Sequence, residues 1–203
     1  MTAGREARQL PRGRHGLSRA AVVGSQRQRM LLGLIEAMAE NGYVQTSVAD
    51  IIDRAGVSRE TFYEQFSSKQ DCFLVAFDTA GEIFLGILIG SPAEGTPEER
   101  FERMLSSYLE ALASQPNYAR IFLVEVHAAG PEALRRRAAL QQRFTDALID
   151  LLGTKDAQGR FAVELLVAGI GSIVTTRLID EDLDGLRALR APIVEIVRRA
   201  ARS

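Results

Sequence analysis

Residues that could catalyse a reaction or bind a metal are few and widely separated. The chain has two histidines, His15 and His127, and one cysteine, Cys72. Glu125 and His127 lie on different faces of a helix, so they do not form a catalytic or metal-binding pair. The sequence contains no P-loop, no GxGxxG after a strand and no GxSxG nucleophile elbow. We therefore predict that the protein is not an enzyme and uses no cofactor or metal.

Hydrogen-bonding side chains are concentrated in one short stretch that follows Ser58. Phe62 and Phe66 are one helical turn apart within it, which predicts that they share a buried face. The residues left largely on the outside are polar: Arg59, Glu60, Thr61, Tyr63 and Glu64. Near the N-terminus of a helix, side chains of these types can reach base edges in the major groove of DNA. This stretch therefore has the composition of a surface that recognises nucleic acid.

Two short predicted helices position these side chains. Ser47 and Asp50 are spaced as a capping box at the start of the first helix. Gly56 supplies a left-handed position in the turn, and Ser58 is placed to cap the second helix. The apolar face of the first helix consists of Val48, Ile51 and Ile52. The pattern is typical of a helix-turn-helix, although an ordinary helical hairpin in a bundle has the same features.

The residues from about 30 to 77 closely resemble the TetR family of transcriptional regulators. The upstream helix reads LLGLIEAMAENGYVQTSVADII, the turn at 55–58 reads Ala-Gly-Val-Ser, and Thr61-Phe62-Tyr63 is followed by Phe66 and Lys69. The resemblance implies an all-α fold of about nine helices. An N-terminal three-helix helix-turn-helix domain would bind DNA, and a C-terminal helical domain would bind a ligand and form a dimer.

We expect two sets of residues to contact duplex DNA. The set predicted to hold phosphates and fix the register is Thr46, Ser47, Tyr63 and Lys69. The set predicted to face base edges is Arg59, Glu60, Thr61, Glu64 and Gln65. Arg59 is the best candidate for a bidentate contact to guanine. Glu64 departs from the family pattern, and either accepts from a cytosine amino group or pairs with Arg59.

The N-terminal region differs in composition from the rest of the chain. Residues 1–29 contain seven arginines and the single acid Glu6, whereas the chain as a whole carries a net charge of −1. We expect residues 1–24 to be a disordered basic arm, which either stays solvated or follows phosphates or the minor groove. Residues 25–72 would form the DNA-binding domain and residues 73–203 the ligand-binding and dimerisation domain. The single cysteine and the lack of a secretion signal favour the cytoplasm.

The second half contains apolar side chains at helical spacing that could line a ligand pocket. They are Phe84, Leu88, Met104, Tyr108, Phe122, His127 and Phe144. A solid core would have the same pattern. The resemblance implies a small, largely apolar effector that releases a repressor from its operator. The alternatives are a regulator of the same fold controlled by a protein partner, and a non-specific architectural DNA-binding protein.

Residues 165–176 carry no charge and include four small residues. Ala168, Gly169, Gly171 and Ser172 would allow another helix to approach closely, and twelve residues are too few to span a membrane. By resemblance, this helix and the last one pair with their copies in a homodimer, whose operator would be near-palindromic. No membrane partner is expected.

Three expectations concern single segments. The run Arg135-Arg136-Arg137 is most simply a solvated face, and a second nucleic-acid patch is the weaker interpretation. Residues 83–89 are apolar nearly all round and are predicted to be buried. Cys72 is expected to be a small core residue rather than a redox sensor.

Overall fold

The computed structural model describes residues 19–90 and 94–200. Its α-helices are α1 (Arg19–Gln45), α2 (Val48–Ala55), α3 (Arg59–Gln65), α4 (Lys69–Ile89), α5 (Pro97–Ser114), α6 (Pro116–Leu123), α7 (Pro131–Leu152), α8 (Ala157–Ile179), α9 (Leu183–Ala188) and α10 (Arg190–Ala200). A short 3-10 helix, Glu125–His127, follows α6. The described residues contain helices and no strands, which confirms the predicted all-α fold.

The chain divides into two compact units between Phe73 and Leu74, a boundary that lies inside α4. The N-terminal unit contains α1, α2, α3 and the start of α4. The C-terminal unit contains the remainder of α4 and all later helices. The helix-turn-helix stretch therefore lies wholly within one unit.

The predicted caps of α2 and α3 are confirmed. The backbone N–H of Ser47 donates to the Asp50 carboxylate at 2.8 Å, and the Asp50 N–H donates to Ser47 Oγ at 3.2 Å. Hydrogen bonds donated to its carboxylate by the Ser47 hydroxyl and by the Ser47 backbone N–H hold the pKa of Asp50 below its usual value. Gly56 adopts φ 61° and ψ 45° at the end of α2. Ser58 Oγ then accepts from the Thr61 N–H at 3.1 Å.

The close packing of α1 against α2 depends on a glycine in α1. A Cβ atom on Gly33 would lie 2.8 Å from the Ile51 carbonyl oxygen, nearer than Cβ atoms normally approach. The two helices can therefore come together only where α1 has no side chain. Fully buried apolar side chains complete this core, among them Met30, Leu34, Ile51, Phe62, Phe66 and Phe73.

The bounds of α1 differ from those expected. The helix begins at Arg19, so residues 19–24 of the predicted disordered arm are helical. Residues 1–18 of that arm lie outside the described residues. Near the other end of the helix, Gly42 has φ 71° and ψ 167° and interrupts it before Gln45. Positive φ is readily adopted by glycine, which explains why the interruption falls there.

Helix starts and breaks in the C-terminal unit follow local sequence signals. Thr96 Oγ1 accepts from the Glu99 N–H at 3.3 Å, and Pro97 takes the first helical position of α5. Pro192 lies in the first turn of α10. Pro can occupy that turn because the first N–H groups of a helix have no partner within it.

Two helices are long and apolar enough to cross a membrane by length and composition alone. The most apolar window of α4 is 56% buried inside the fold, whereas that of α8 is only 17% buried. The expectation that residues 83–89 are all buried is wrong, because Ile83 and Ile89 are exposed on α4. On α8 the exposed large apolar side chains are Phe161, Leu165, Ile173 and Ile179. An apolar surface of this extent is typical of a site that contacts another molecule.

Candidate nucleic-acid interface and ligand cavity

Helix α3 presents polar side chains on one face and buries aromatic ones on the other. Phe62 and Phe66 are buried, whereas Tyr63 is 47% exposed and Arg59 lies in solvent. Glu60 and Glu64 are exposed as well. The predicted outer face is therefore confirmed for these four residues, whereas Thr61, which was also expected there, is partly buried. Because Ser58 caps the N-terminus of α3, its first turn is held rigidly where Arg59 and Glu60 project.

Arg59 interacts with Tyr63, one turn further along the exposed face. Its Nη2 donates to the Tyr63 hydroxyl at 3.4 Å, and its Cζ lies 5.5 Å from the centre of the Tyr63 ring. Of the two roles considered for Glu64, an ion pair with Arg59 does not form among the described residues. A guanidinium has five N–H donors, so Arg59 retains donors for a second, planar partner.

The side chains of Thr46 and Ser47 make contacts within the protein. Thr46 is 2% exposed, and its Oγ1 donates to the Gly42 carbonyl at 2.8 Å. The expectation that the Thr46 side chain holds a phosphate therefore does not fit its buried position. Ser47 is exposed, but its hydroxyl donates to Asp50 at 2.6 Å in the capping box. Thr61 is partly buried, with its Oγ1 2.9 Å from Ser58 Oγ, and Gln65 is also partly buried.

Lys69 links the start of α4 to the end of α1. Its Nζ donates to the carbonyls of Tyr43 and Thr46, both at 2.7 Å, and lies 3.5 Å from the Val44 carbonyl. It also lies 4.2 Å from the centre of the Tyr43 ring. Burial lowers the pKa of Lys69. Since an ammonium has three donors, these carbonyls use its hydrogen-bonding capacity, and a phosphate contact would have to replace some of them.

Two arginines of α1 donate hydrogen bonds to the C-terminal ends of α2 and α3. Arg29 Nη1 donates to the Ala55 carbonyl at 2.8 Å, where α2 ends. Arg27 Nη1 donates to the Gln65 carbonyl at 3.1 Å, where α3 ends, and its Cζ lies 4.5 Å from the centre of the Phe66 ring. Carbonyls at a helix C-terminus lack partners inside the helix and favour a nearby cation. Sequence reasoning missed this role because no local pattern links α1 to residues so distant along the chain.

The C-terminal unit contains a partly open cavity of about 90 Å³. Of the residues predicted to bind a ligand, five line it: Leu88, Met104, Tyr108, Phe122 and Phe144. Phe84 packs behind this wall, with ring centroids 5.8 Å from Phe122 and 6.1 Å from Tyr108. His127 is exposed and does not line the cavity. These five residues come from α4, α5, α6 and α7, and residues of α8 also line the cavity, so five helices meet around this space.

Polar groups in the cavity wall come from α5 and α7. Arg137 and Gln141 lie one turn apart on α7, and Tyr108 lies on α5. Burial raises the pKa of Tyr108, and the nearby positive charge of Arg137 acts in the opposite direction. Partial desolvation of the exposed His127 ring and the charge of Arg137 together lower the pKa of His127. The expectation of a solvated face for residues 135–137 is therefore wrong for Arg137, which is partly buried in the cavity wall.

No metal site is formed by the residues that the structure describes: none of their His, Cys, Asp and Glu side chains form a group of three or more that could hold an ion. Cys72 is buried, and burial raises the pKa of its thiol to about 12. A thiol that remains protonated at neutral pH is a poor nucleophile. Cys72 therefore acts as a core residue, as predicted.

Two family models match separate parts of the chain. The model for bacterial regulatory proteins of the tetR family matches residues 33–76, which contain the helix-turn-helix. The model for the tetracyclin repressor-like C-terminal domain matches residues 94–175, which contain most of the cavity wall. The two models together match more than half of the chain.

Individual relatives resemble the chain over most of its length. The Fatty acid metabolism regulator protein of Bacillus subtilis is 24% identical over 172 residues, which cover 80% of this chain and 89% of that protein. The HTH-type transcriptional activator FasR of Mycolicibacterium smegmatis is 20% identical and covers 85% of this chain and 79% of its own. The crystal structure of FadR from Bacillus subtilis with stearoyl-CoA has a TM-score of 0.72 at 21% identity, covering 83% of this chain and 96% of that one. At this identity the structural likeness shows a shared fold.

Proposed function

Because the chain belongs to the tetR family of bacterial regulatory proteins, we propose that it is a sequence-specific repressor released from its operator by a small ligand. Its family and its relatives make it a DNA-binding regulator of transcription with a helix-turn-helix. The proposal assigns DNA binding to residues 25–72, and ligand binding and dimerisation to residues 73–203. As a soluble regulator of transcription, the protein would act in the cytoplasm.

The observation that carries this proposal is the exposed polar face of α3, held on a buried aromatic face and a capped N-terminus. In the major groove, Arg59 would donate both ends of its guanidinium to guanine, and Glu60, Thr61, Glu64 and Gln65 would face neighbouring bases. Tyr63 would contact a phosphate. Ser47, at the N-terminus of α2, would meet another phosphate where the helix dipole favours negative charge.

A second copy of the chain would cover the exposed apolar face of α8. Small exposed residues, including Ala168, Gly169 and Ser172, would let the partner helix approach closely. A Cβ atom at Gly169 would meet no atom within 4 Å in a single protomer, so there is space for that approach. A two-fold dimer presents its recognition helices about 34–36 Å apart, one turn of duplex. The operator should therefore be near-palindromic.

The ligand would occupy the apolar cavity of the C-terminal unit. One relative is named for fatty acid metabolism, and one similar structure is described as a complex with stearoyl-CoA. From these relatives we propose for this protein only the class of ligand, a molecule with an aliphatic chain. The cavity of about 90 Å³ is smaller than the several hundred Å³ typical of ligand sites, so its aromatic walls must move when a ligand enters. Binding that favours the widened shape would lower DNA affinity by the difference between the two states.

The small cavity volume also supports a second candidate function. A regulator of the same fold controlled by a protein partner needs no pocket, and 90 Å³ is closer to a packed core than to a ligand site. Both candidates predict the same binding to DNA. They differ in whether an aliphatic compound alone releases the protein from its operator.

Selection of bound sequences from a random pool of duplex DNA tests the proposal. We expect a near-palindromic site that the protein prefers over random competitor DNA by about a thousandfold or more. Adding decanoate or decanoyl-CoA to the isolated complex should then lower the bound fraction. Uniform binding to all sequences would instead identify a non-specific architectural protein. A preferred site unaffected by any aliphatic compound would favour the protein-partner candidate.

A further inference from the structure

We infer that Arg137 anchors the carboxylate of an unesterified aliphatic acid whose chain lies in the cavity of the C-terminal unit. The inference rests on the proposed function in one respect, which is that this cavity is the ligand site. It adds the head group that the site selects and the residue that selects it.

The wall of the cavity is mainly apolar. Met104, Phe122 and Phe144 line it, together with Leu88 and Leu148. Such a surface suits an alkyl chain, which gains free energy from removal from water in proportion to its area. It offers no specificity for one end of the chain over the other, so the orientation of a ligand must come from the polar residues of the wall.

Three consecutive arginines on α7 have different surroundings. Arg135 pairs with Glu132 at 2.6 Å, and Arg136 pairs with Glu132 at 3.4 Å and with Asp78. Arg137 lines the cavity, and within residues 19–90 and 94–200 no acidic side chain pairs with it. A guanidinium that is partly removed from water beside apolar groups is stabilised most by an anion that accepts two hydrogen bonds. Arg137 is thus the arginine of this run that is available to an anionic ligand.

Two further donors lie in the same wall. The Gln141 amide is one helical turn from Arg137. The Tyr108 hydroxyl lies on α5, close enough for the charge of Arg137 to act on its pKa. Because burial raises the pKa of Tyr108, its hydroxyl remains a donor at neutral pH. A carboxylate has two oxygens with about four acceptor positions, which matches a guanidinium and two neutral donors. An alcohol or an ester has no charge to pair with Arg137, and an acyl-CoA has a thioester in place of the carboxylate.

The test compares head groups on one chain. Hexanoate, decanoate and tetradecanoate, their alcohols and their acyl-CoA thioesters are titrated into the full-length protein by isothermal calorimetry. We expect the acid of the best chain length to bind at least tenfold more tightly than its alcohol and its CoA thioester, as a charge-assisted hydrogen bond implies. Arg137→Met should remove that preference while retaining alcohol binding, and Arg137→Lys should retain part of it.

Arg135→Met is the matched control, since it removes a neighbouring arginine that pairs with Glu132 outside the cavity. It should keep the full preference for the acid. Thermal unfolding of each variant identifies any loss that reflects misfolding. The inference is overturned if the wild type binds alcohol or thioester as tightly as acid, if it binds no acid, or if Arg137→Met keeps the preference. The selection from a random DNA pool does not depend on these outcomes. A preferred DNA site would therefore still support the proposed regulator function even if Arg137 does not bind the carboxylate.

Discussion

Cationic side chains in the N-terminal unit divide into two kinds at the level of single residues. Arg27, Arg29 and Lys69 donate to backbone carbonyls at the ends of α3, α2 and α1. Arg59 projects from the exposed face, where it interacts with Tyr63. The first kind positions the recognition helix, and the second is available to DNA. Residue type alone does not separate them, because both are basic residues near the same motif.

This division predicts different phenotypes for Arg59→Ala and Lys69→Met. Loss of Arg59 should relax preference at one operator position, with a penalty of about 1–3 kcal/mol at the correct base. Loss of the Lys69 ammonium should lower the free energy of unfolding by about 1 kcal/mol, because charged hydrogen bonds at partly exposed sites are screened. It should also weaken binding to all DNA sequences by the same factor. Binding to a panel of operator variants, together with urea unfolding, measures both effects, and identical behaviour of the two variants would contradict the division.

At the scale of elements, the position of α3 depends on how α1 and α2 pack against each other. Helix α2 lies close to α1 because Gly33 has no Cβ, and the C-terminal carbonyls of α2 accept from Arg29. Capping by Ser47 and Ser58 then fixes where each helix begins. The angle of the recognition helix therefore depends on a backbone contact remote from the residues that would touch DNA.

Gly33→Ala should destabilise the N-terminal unit and weaken DNA binding without changing sequence preference. The added methyl would lie 2.8 Å from the Ile51 carbonyl, so the backbone must shift, and overpacking of this kind costs about 1–3 kcal/mol. Gly24→Ala in the same helix is the matched control, since a Cβ there meets nothing within 4 Å. It should stabilise α1 by about 0.5–1 kcal/mol. Urea unfolding compares them, and equal midpoints would show that α1 and α2 do not require the close approach.

For the whole molecule, α8 connects two proposed activities. Val167, Ala168 and Gly171 line the cavity, whereas Leu165 and Ile173 face outward from the same helix. A ligand that moves the cavity wall would therefore also act on the helix proposed to meet the second copy. That shared helix would connect the proposed ligand site with the proposed dimer interface.

Ile173→Glu should convert the protein from dimer to monomer and reduce operator affinity. Ile173 is 46% exposed, and a carboxylate facing its copy across a two-fold interface would be buried beside a like charge. Ile89→Glu is the control, since Ile89 is 67% exposed on α4. That variant should remain dimeric. Sedimentation velocity at several concentrations gives the oligomeric state, and a dimeric Ile173→Glu variant would rule out α8 as the interface.

Local features of this protein are determined by the sequence itself. Ser47 with Asp50, Gly56, Ser58, and Thr96 with Pro97 each specify a cap or turn through partners within four residues. The alternation of Phe62 and Phe66 with polar residues similarly determines which face of α3 is buried. Such signals can be recognised in one chain because their energetics depend on neighbours along the backbone.

Only the tertiary structure decided which basic side chains are already hydrogen-bonded or paired within the fold, and which basic and apolar side chains remain available to another molecule. Arg29 meets the Ala55 carbonyl and Lys69 meets the Tyr43 carbonyl across separations of 26 residues each, distances at which spacing carries no signal. Arg137 is distinguished from Arg135 and Arg136 only by its position where α5, α7 and α8 line a cavity. The physical reason is that burial and charge pairing depend on packing between helices, which brings together groups that the sequence keeps apart.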